Sequence, residues 1–222
     1  MQRLRLTFSR GEEIKYISHL DLMRLWQRAL RRADMPLVYS QGFSPHPRLS
    51  LAAPLAVGVT SVGELMDIFL ERRVSPHFFI KAVKEQLPRG IDVSEVMEVG
   101  LGLPSLQSQV LSAEYRVVAE TDRDLKEVEA AIRSTLASDR LPWQHARDKE
   151  VRKYDLRTLI EDLWVIEFNP PGYVIGMKLR CDSSGTGRPE QVLSALGFTE
   201  PPKSIHRTKL TLDRQVKSVP RR

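Results

Sequence analysis

Apolar positions along the first half of the chain follow two periods, which predict strands alternating with helices. A period of two is typical of half-buried strands, and spacings of three and four are typical of amphipathic helices. These patterns predict a strand at residues 3–9, a helix at 18–35, extended segments at 49–57 and 64–70, a helix at 76–87 and a strand at 91–99. The predicted order is βαββαβ.

The second half repeats the order without repeating the sequence. The predicted elements are a strand at residues 115–120, a helix at 124–137, strands at 163–168 and 173–180, a helix at 189–197 and a strand at 205–212. The sequence Asn169-Pro-Pro-Gly172 predicts the turn of a hairpin between the two middle strands. The two halves together predict an α+β protein with two tandem ferredoxin-like (βαββαβ) domains.

Composition places the boundary between these halves. Residues 100–109 are rich in Gly, Ser and Gln, which favours a connecting segment. We therefore predict domains at residues 1–100 and 113–212 with a linker at 101–112. Residues 213–222 show no periodicity and are predicted to form a flexible basic tail. That tail is as compatible with a solubilising terminus as with a nucleic-acid arm.

The first predicted helix has one apolar face and one cationic face. It starts with a capping pattern, Ser18-His-Leu-Asp21. At about 100° per residue, the arginines that share the polar side are Arg24, Arg28, Arg31 and Arg32. No acidic residue lies between Asp21 and Asp34. A charged helix face is often only a solvated surface, but unpaired arginines favour an anionic ligand.

The loop after this helix suits the recognition of phosphates and bases. Its sequence is Tyr39-Ser-Gln-Gly-Phe-Ser-Pro-His-Pro-Arg48, in which two prolines reduce the entropy lost on binding. The residues suited to stacking or hydrogen bonding are Tyr39, Gln41, Phe43, His46 and Arg48.

Several motifs resemble those of the radical-SAM-linked protein family. They are Tyr16-Ile-Ser-His-Leu-Asp21, the loop from Tyr39 to Pro47, Pro54-Leu-Ala-Val-Gly58, Gly63-Glu64 with Asp67, and Lys149-Glu-Val-Arg-Lys-Tyr-Asp-Leu-Arg157. The resemblance extends from Arg3 to about Leu212. It implies a domain without a settled activity, encoded beside or fused to a radical-SAM protein of the cobalamin-binding type.

Cysteine content separates this chain from that suggested partner. Iron–sulfur clusters are held by several thiolates, whereas the chain has one cysteine, Cys181. The chain therefore cannot itself supply the ligand set of a radical-SAM enzyme. A lone cysteine at the end of an apolar strand is most often a packed small residue. It also excludes an internal disulfide and fits a reducing compartment.

Length and composition fit an ordinary globular protein of 222 residues with 41% hydrophobic and 28% charged residues. No run approaches the roughly 18 apolar residues of a membrane helix, and the N-terminus lacks the apolar region of a signal peptide. We therefore expect a cytoplasmic protein without a membrane partner.

The net charge of +6 is uneven. Residues 1–50 carry nine basic and four acidic residues, a net charge of +5, and residues 201–222 carry seven and one, a net charge of +6. The residues between them carry a net charge of −5. In the later motif, Arg152, Lys153 and Arg157 could extend a basic surface, or Arg157 could form an ion pair with Asp155.

Catalytic candidates are few. Metal-independent RNA cleavage requires a general base and a general acid, and His19 with His46 is the only pair we nominate. A histidine that only hydrogen-bonds at a helix start is more common. The five histidines show no metal-ligand spacing, and no phosphate loop or nucleotide fingerprint is present. We expect neither a metal nor a cofactor in this chain.

The leading hypothesis is a non-catalytic RNA-binding accessory that presents structured RNA, such as ribosomal or transfer RNA, to a radical-SAM modification enzyme. The predicted RNA-binding residues are Arg24, Arg28, Arg31, Arg32, Tyr39, Gln41, Phe43, His46, Arg48, Arg152 and Arg157. One alternative is a protein–protein adaptor that docks on the radical-SAM partner without touching RNA. The other is a metal-independent endoribonuclease that uses His19 and His46.

Overall fold

The structure, a computed structural model, describes residues 1–147 and 150–213, with side chains at all of these except residues 145–147 and 150–152. The chain divides into two compact units, Met1–Val110 with residues 209–213, and Leu111–Thr208. Residues 101–110, assigned to a linker by the sequence, are grouped with the first unit. Residues 214–222 of the predicted basic tail lie outside the described residues.

The first unit is built around an antiparallel sheet. Its elements are β1 (Gln2–Arg10), α1 (His19–Arg32), β2 (Leu49–Leu51), β3 (Thr60–Leu70), α2 (Pro76–Lys84) and β4 (Val93–Val99). The strand order is β2-β3-β1-β4. Leu6 of β1 lies opposite Met66 of β3 and Val96 of β4, so alternate apolar side chains point to one face. Trp26 of α1 packs edge-on against Phe8, with ring centroids 5.0 Å apart.

Three elements of this unit are shorter in the structure than the sequence predicted. The helix predicted to residue 35 ends at Arg32, because Asp34 adopts a left-handed φ of 51° before Pro36. The extended segment predicted at 49–57 is a strand only at Leu49–Leu51. Beyond it, the carbonyl of Leu55 accepts a hydrogen bond from the buried Arg10 side chain (3.3 Å) instead of a strand partner. The helix predicted to residue 87 ends at Lys84, shortly before Pro88.

The second unit contains further strands and two helices. Its elements are β5 (Val110–Glu120), α3 (Leu125–Ala137), β6 (Pro142–Arg147), β7 (Glu150–Asp155), β8 (Ile160–Asn169), β9 (Gly172–Asp182), β10 (Gly185–Thr186), α4 (Pro189–Ala195) and β11 (Ser204–Leu212). The main strand order is β8-β9-β5-β11, with β10 beside the end of β9. The turn at 169–172 joins β8 to β9 as predicted, and its Pro170–Pro171 bond is cis.

The hairpin of β6 and β7 was not predicted as a pair. These strands pair only with each other, from Pro142 opposite Asp155 to Arg147 opposite Glu150. Their sequences are mostly polar and lack the alternation of apolar residues that marks a strand packed on a core. Among the described residues, the whole chain is an α+β fold with four helices.

Candidate nucleic-acid interface

The start of α1 is fixed by its cap. The hydroxyl of Ser18 accepts a hydrogen bond from the Asp21 amide (3.1 Å) and donates one to the Asp21 carboxylate (2.7 Å). The bond from Ser18 lowers the pKa of Asp21, and Arg24 lowers it further. Leu22, Trp26 and Leu30 are buried, so the opposite side of the helix is exposed.

All four predicted arginines lie on that exposed side, which we call the basic helix face (Arg24, Arg28, Arg31 and Arg32). Arg24 is partly neutralised, because its guanidinium lies 3.2 Å from the Asp21 carboxylate one turn earlier. Within the described part of the chain, no ion pair involves Arg28 or Arg32. These two arginines line a groove of about 380 Å³ together with Glu85, Leu87 and Pro88. The face therefore carries cations that are accessible to a ligand.

Residues 39–48, which we call the proline loop, are closed at the base. Tyr39 and Pro47 form an isolated antiparallel bridge. The Ser40 amide donates to the His46 carbonyl (2.8 Å), and the Ser40 hydroxyl accepts from the His46 amide (3.0 Å). The tip beyond this base is exposed, and Phe43 is fully exposed. Gly42 precedes it with a φ of 121°, a conformation that favours glycine.

One contact joins the proline loop to the basic helix face. The guanidinium of Arg31 lies 6.0 Å from the centre of the Tyr39 ring, within the range of a cation–π interaction. The loop base is thus placed beside the last turn of α1. Cationic and aromatic groups consequently share one surface of the first unit.

Arg48, the last residue of the proline loop, lies in a different environment. Its guanidinium covers the ring of Phe69 on β3, 4.3 Å from the ring centre. On β1, Arg3 lies directly opposite Phe69 in the strand register, 5.4 Å from the same ring centre. Because Leu4 and Ile68 beside them point into the core, this row of Arg48, Phe69 and Arg3 lies on the other face of the sheet.

A buried ion network lies next to that row. Asp67 is fully buried and contacts Arg3 (2.5 Å) and Arg5 (2.8 Å). Arg3 also donates to the carbonyls of Leu103 (2.8 Å) and Pro104 (2.9 Å). A buried carboxylate is stabilised only when its partners are well placed. Asp67 therefore has a structural role in holding β1 against β3.

Side-chain hydrogen bonds attach residues 101–110 to the face of the sheet that carries Asp67 and Phe69. In addition to the bonds from Arg3, the Ser50 hydroxyl donates to the side chain of Gln107 (2.9 Å). Arg5 donates to the side chain of Gln109 (3.3 Å). We call this segment the strap (residues 101–110). Between the strap and the Arg48–Phe69 pair remains a cavity of about 360 Å³.

Two predicted binding residues lie outside this surface, in the second unit. Arg157 donates to the carbonyls of Ile160 (2.7 Å) and Leu136 (2.9 Å). Asp155 accepts from the amides of Leu141 (2.8 Å) and Arg157 (3.0 Å) rather than from the Arg157 side chain. The backbone of Arg152 lies in β7 opposite His145, and its side chain is outside the described set.

The two nominated catalytic histidines occupy different parts of the first unit. His19 begins α1, and its Nδ1 is buried without a hydrogen-bond partner among the described residues. His46 lies at the base of the proline loop, which contacts Arg31 near the other end of α1. Arg31 lies twelve positions after His19 in the helix, about 18 Å along the axis. This placement does not favour a concerted acid–base pair.

Sequence reasoning missed Phe69, Arg3 and the strap as parts of this region. The available signal was the alternation along β3, which places Asp67 and Phe69 on one face. Phe69 was not recognised because an aromatic residue in an apolar strand is usually part of the core.

Over residues 1–147 and 150–213, no group of three or more His, Cys, Asp or Glu side chains is placed to hold a metal ion. None of the helices in these ranges has the length and apolar composition required to cross a bilayer.

Comparison with solved structures supports the α+β fold. The chain is similar to a chain in the crystal structure of a Cbf5-Nop10-Gar1 complex, with a TM-score of 0.51 and 10% identity over 94% of this chain and 48% of that chain. Similar values are found for the archaeal box H/ACA sRNP Nop10-Cbf5 complex (TM-score 0.48, 10% identity, 95% and 48% coverage). The H/ACA RNP bound to a substrate RNA containing 2′-deoxyuridine gives a TM-score of 0.48, 10% identity, and 94% and 47% coverage. The chain spans about half the length of these chains.

Family comparison covers most of the sequence. Residues 3–189 match DUF2344, described as an uncharacterised protein conserved in bacteria. The chain therefore belongs to the DUF2344 family. A search of curated proteins finds no match.

Proposed function

We propose that this chain is an RNA-binding accessory protein that contacts RNA through the basic helix face and the proline loop. The observation that carries the proposal is the contact of Arg31 with Tyr39, which combines exposed cations with a closed, aromatic loop on one unit. Cations neutralise phosphates, and aromatic side chains stack on unpaired bases. The fully exposed Phe43 favours single-stranded or looped RNA over a duplex, whose bases are already stacked.

We further propose that both units are ferredoxin-like domains. The orders β2-β3-β1-β4 and β8-β9-β5-β11, each with one helix after the first strand and one after the third, support this. The resemblance to radical-SAM-linked proteins supports a role in presenting RNA to a radical-SAM modification enzyme. In this proposal the chain itself performs no catalysis, since the partner supplies the cluster and the chemistry.

Charge reversal tests the proposed surface. The double variant Arg28→Glu/Arg31→Glu should bind cellular RNA at least tenfold more weakly than the wild type and with a flatter salt dependence. Lys126→Glu/Arg133→Glu on the exposed side of α3 makes the same change of charge in the second unit and serves as the matched control. Fluorescence anisotropy in EDTA over a salt series measures the affinity and the salt dependence of each variant. Equal affinities for the two variants would refute the assigned surface.

A protein–protein adaptor is the second candidate, favoured by exposed apolar side chains near the start of α1. Tyr16, Leu20 and Val57 are each more than half exposed. The Gly58 amide donates to the Lys15 carbonyl (2.8 Å), which fixes the segment of Val57 beside that of Tyr16. An adaptor predicts co-purification of the radical-SAM protein that survives nuclease treatment and is lost in Tyr16→Ala/Leu20→Ala.

A further inference from the structure

The cavity beneath the strap adjoins the proposed RNA surface through Arg48. This residue ends the proline loop and also lines the cavity. The volume of about 360 Å³ falls in the range of small-ligand pockets. A strand of RNA that follows the proline loop would therefore pass the mouth of the cavity.

The charges around the cavity disfavour a free anion as its occupant. Arg3 lines the cavity, but four of its hydrogen bonds already go to Asp67 and to the carbonyls of Leu103 and Pro104. Asp67 neutralises its charge at short range. Arg48 is the other cation of the lining, and its guanidinium lies over the ring of Phe69, 4.3 Å from the ring centre.

The remaining lining suits a flat heterocycle. Leu101, Leu103 and the Phe69 ring supply apolar surface. The hydroxyls of Ser50 and Ser105 donate to Gln107 and Ser108, and each retains the capacity to accept a hydrogen bond from a ligand. Phe69 lies on a middle strand of the sheet, on the face away from the core. In RNA-binding modules that bind through one face of a β-sheet, aromatic side chains on that face stack on RNA bases. The planar guanidinium of Arg48 now occupies the position in which such a base would stack.

We propose that one unpaired base of the bound RNA enters this cavity and stacks on Phe69. The inference rests on the proposed function and deepens it. The base replaces the guanidinium of Arg48, which turns to the phosphate of the same nucleotide. Stacking on an aromatic side chain contributes about 1–3 kcal/mol per base, roughly a 5- to 150-fold change in affinity.

Two 12-nucleotide probes test the proposal, oligoadenylate and an oligomer of the same length with abasic sugars. The wild type should bind oligoadenylate about tenfold more tightly than the abasic oligomer. Phe69→Leu should reduce this ratio several-fold, whereas Phe69→Tyr, which keeps a ring, should preserve it. Phe78→Leu, at an exposed phenylalanine of α2, is the control outside the cavity.

Phe69 is partly buried, so a second variant leaves it in place. Ser105→Trp fills the cavity from the exposed strap and should reduce the ratio in the same way. An unchanged ratio in Phe69→Leu and Ser105→Trp would overturn the inference while the proposed function stands. Equal binding of both probes by the wild type would also overturn it. Failure of the wild type to bind any RNA, including total cellular RNA, would overturn the proposed function as well.

Discussion

Two groups of arginines in the first unit differ in what their charges do. Arg3 and Arg5 of β1 converge on the buried carboxylate of Asp67, and their other donors bind protein acceptors. Arg28 and Arg32 of α1 are exposed and, within the described ranges, take part in no ion pair. The same residue type therefore stabilises the fold on the sheet and remains accessible to a ligand on the helix.

Only part of the positive charge of residues 1–50 is accessible to a ligand. The +5 of residues 1–50 includes three arginines of β1 whose guanidinium groups face protein acceptors. The arginines of this region that remain exposed lie mainly on the basic helix face. The position of a charge relative to the core, rather than the net charge, decides which partner it meets.

The largest effect should follow removal of the shared carboxylate. Asp67→Asn leaves the buried Arg3 and the partly buried Arg5 without their counter-charge and should lower the free energy of unfolding by about 3–5 kcal/mol. Urea unfolding measures this, with the exposed Asp139→Asn as control. A loss below about 1 kcal/mol would mean that Asp67 does not hold the network together.

Arg157 of the second unit resembles Arg3 and Arg5, because its guanidinium donates hydrogen bonds to protein acceptors. Arg157→Ala removes hydrogen bonds to two carbonyls and should lower the free energy of unfolding by about 2 kcal/mol without changing RNA affinity. Unfolding and anisotropy measurements on the same preparation separate the two effects. Weaker RNA binding at unchanged stability would return Arg157 to the binding surface.

In contrast to Arg157, Phe43 should affect RNA affinity but hardly affect stability. Phe43→Ala removes a fully exposed ring and should weaken binding of single-stranded RNA by about 1–2 kcal/mol, or roughly 5- to 30-fold. The free energy of unfolding should change by less than about 0.5 kcal/mol. Phe78→Ala is the matched control. Unaltered RNA affinity would leave the tip of the proline loop to a protein partner.

The smallest effect concerns the one neutralised arginine of the helix. Asp21→Asn frees Arg24 from its carboxylate and should strengthen RNA binding about twofold. Since the pKa of Asp21 is lowered, its carboxylate stays ionised throughout pH 5–8, and the gain should be constant over that range. Binding titrations at both ends of the range measure it. A gain that appeared only at the upper end would contradict the lowered pKa.

The sequence predicted the elements better than their contacts. The spacing of Leu22, Trp26 and Leu30 placed the buried face of α1 correctly, because helical periodicity is local. The attachment of the strap depends on Arg3 meeting carbonyls 100 residues away, and no local pattern encodes such a contact. The hydrogen bonds of Arg157 to two carbonyls could not be predicted from the sequence for the same reason. The sequence also did not predict the contact of Arg48 with Phe69, because that contact depends on the pairing of β2 with β3.

The most direct test measures retention of end-labelled total cellular RNA by the purified wild-type protein in EDTA across a salt series. If three helix arginines contact phosphates, the logarithm of the binding constant should fall with the logarithm of salt concentration with a slope of about −2. The RNA should remain intact on a denaturing gel. Absence of retention at low salt would contradict the account, and the basic helix face would then belong to a protein partner.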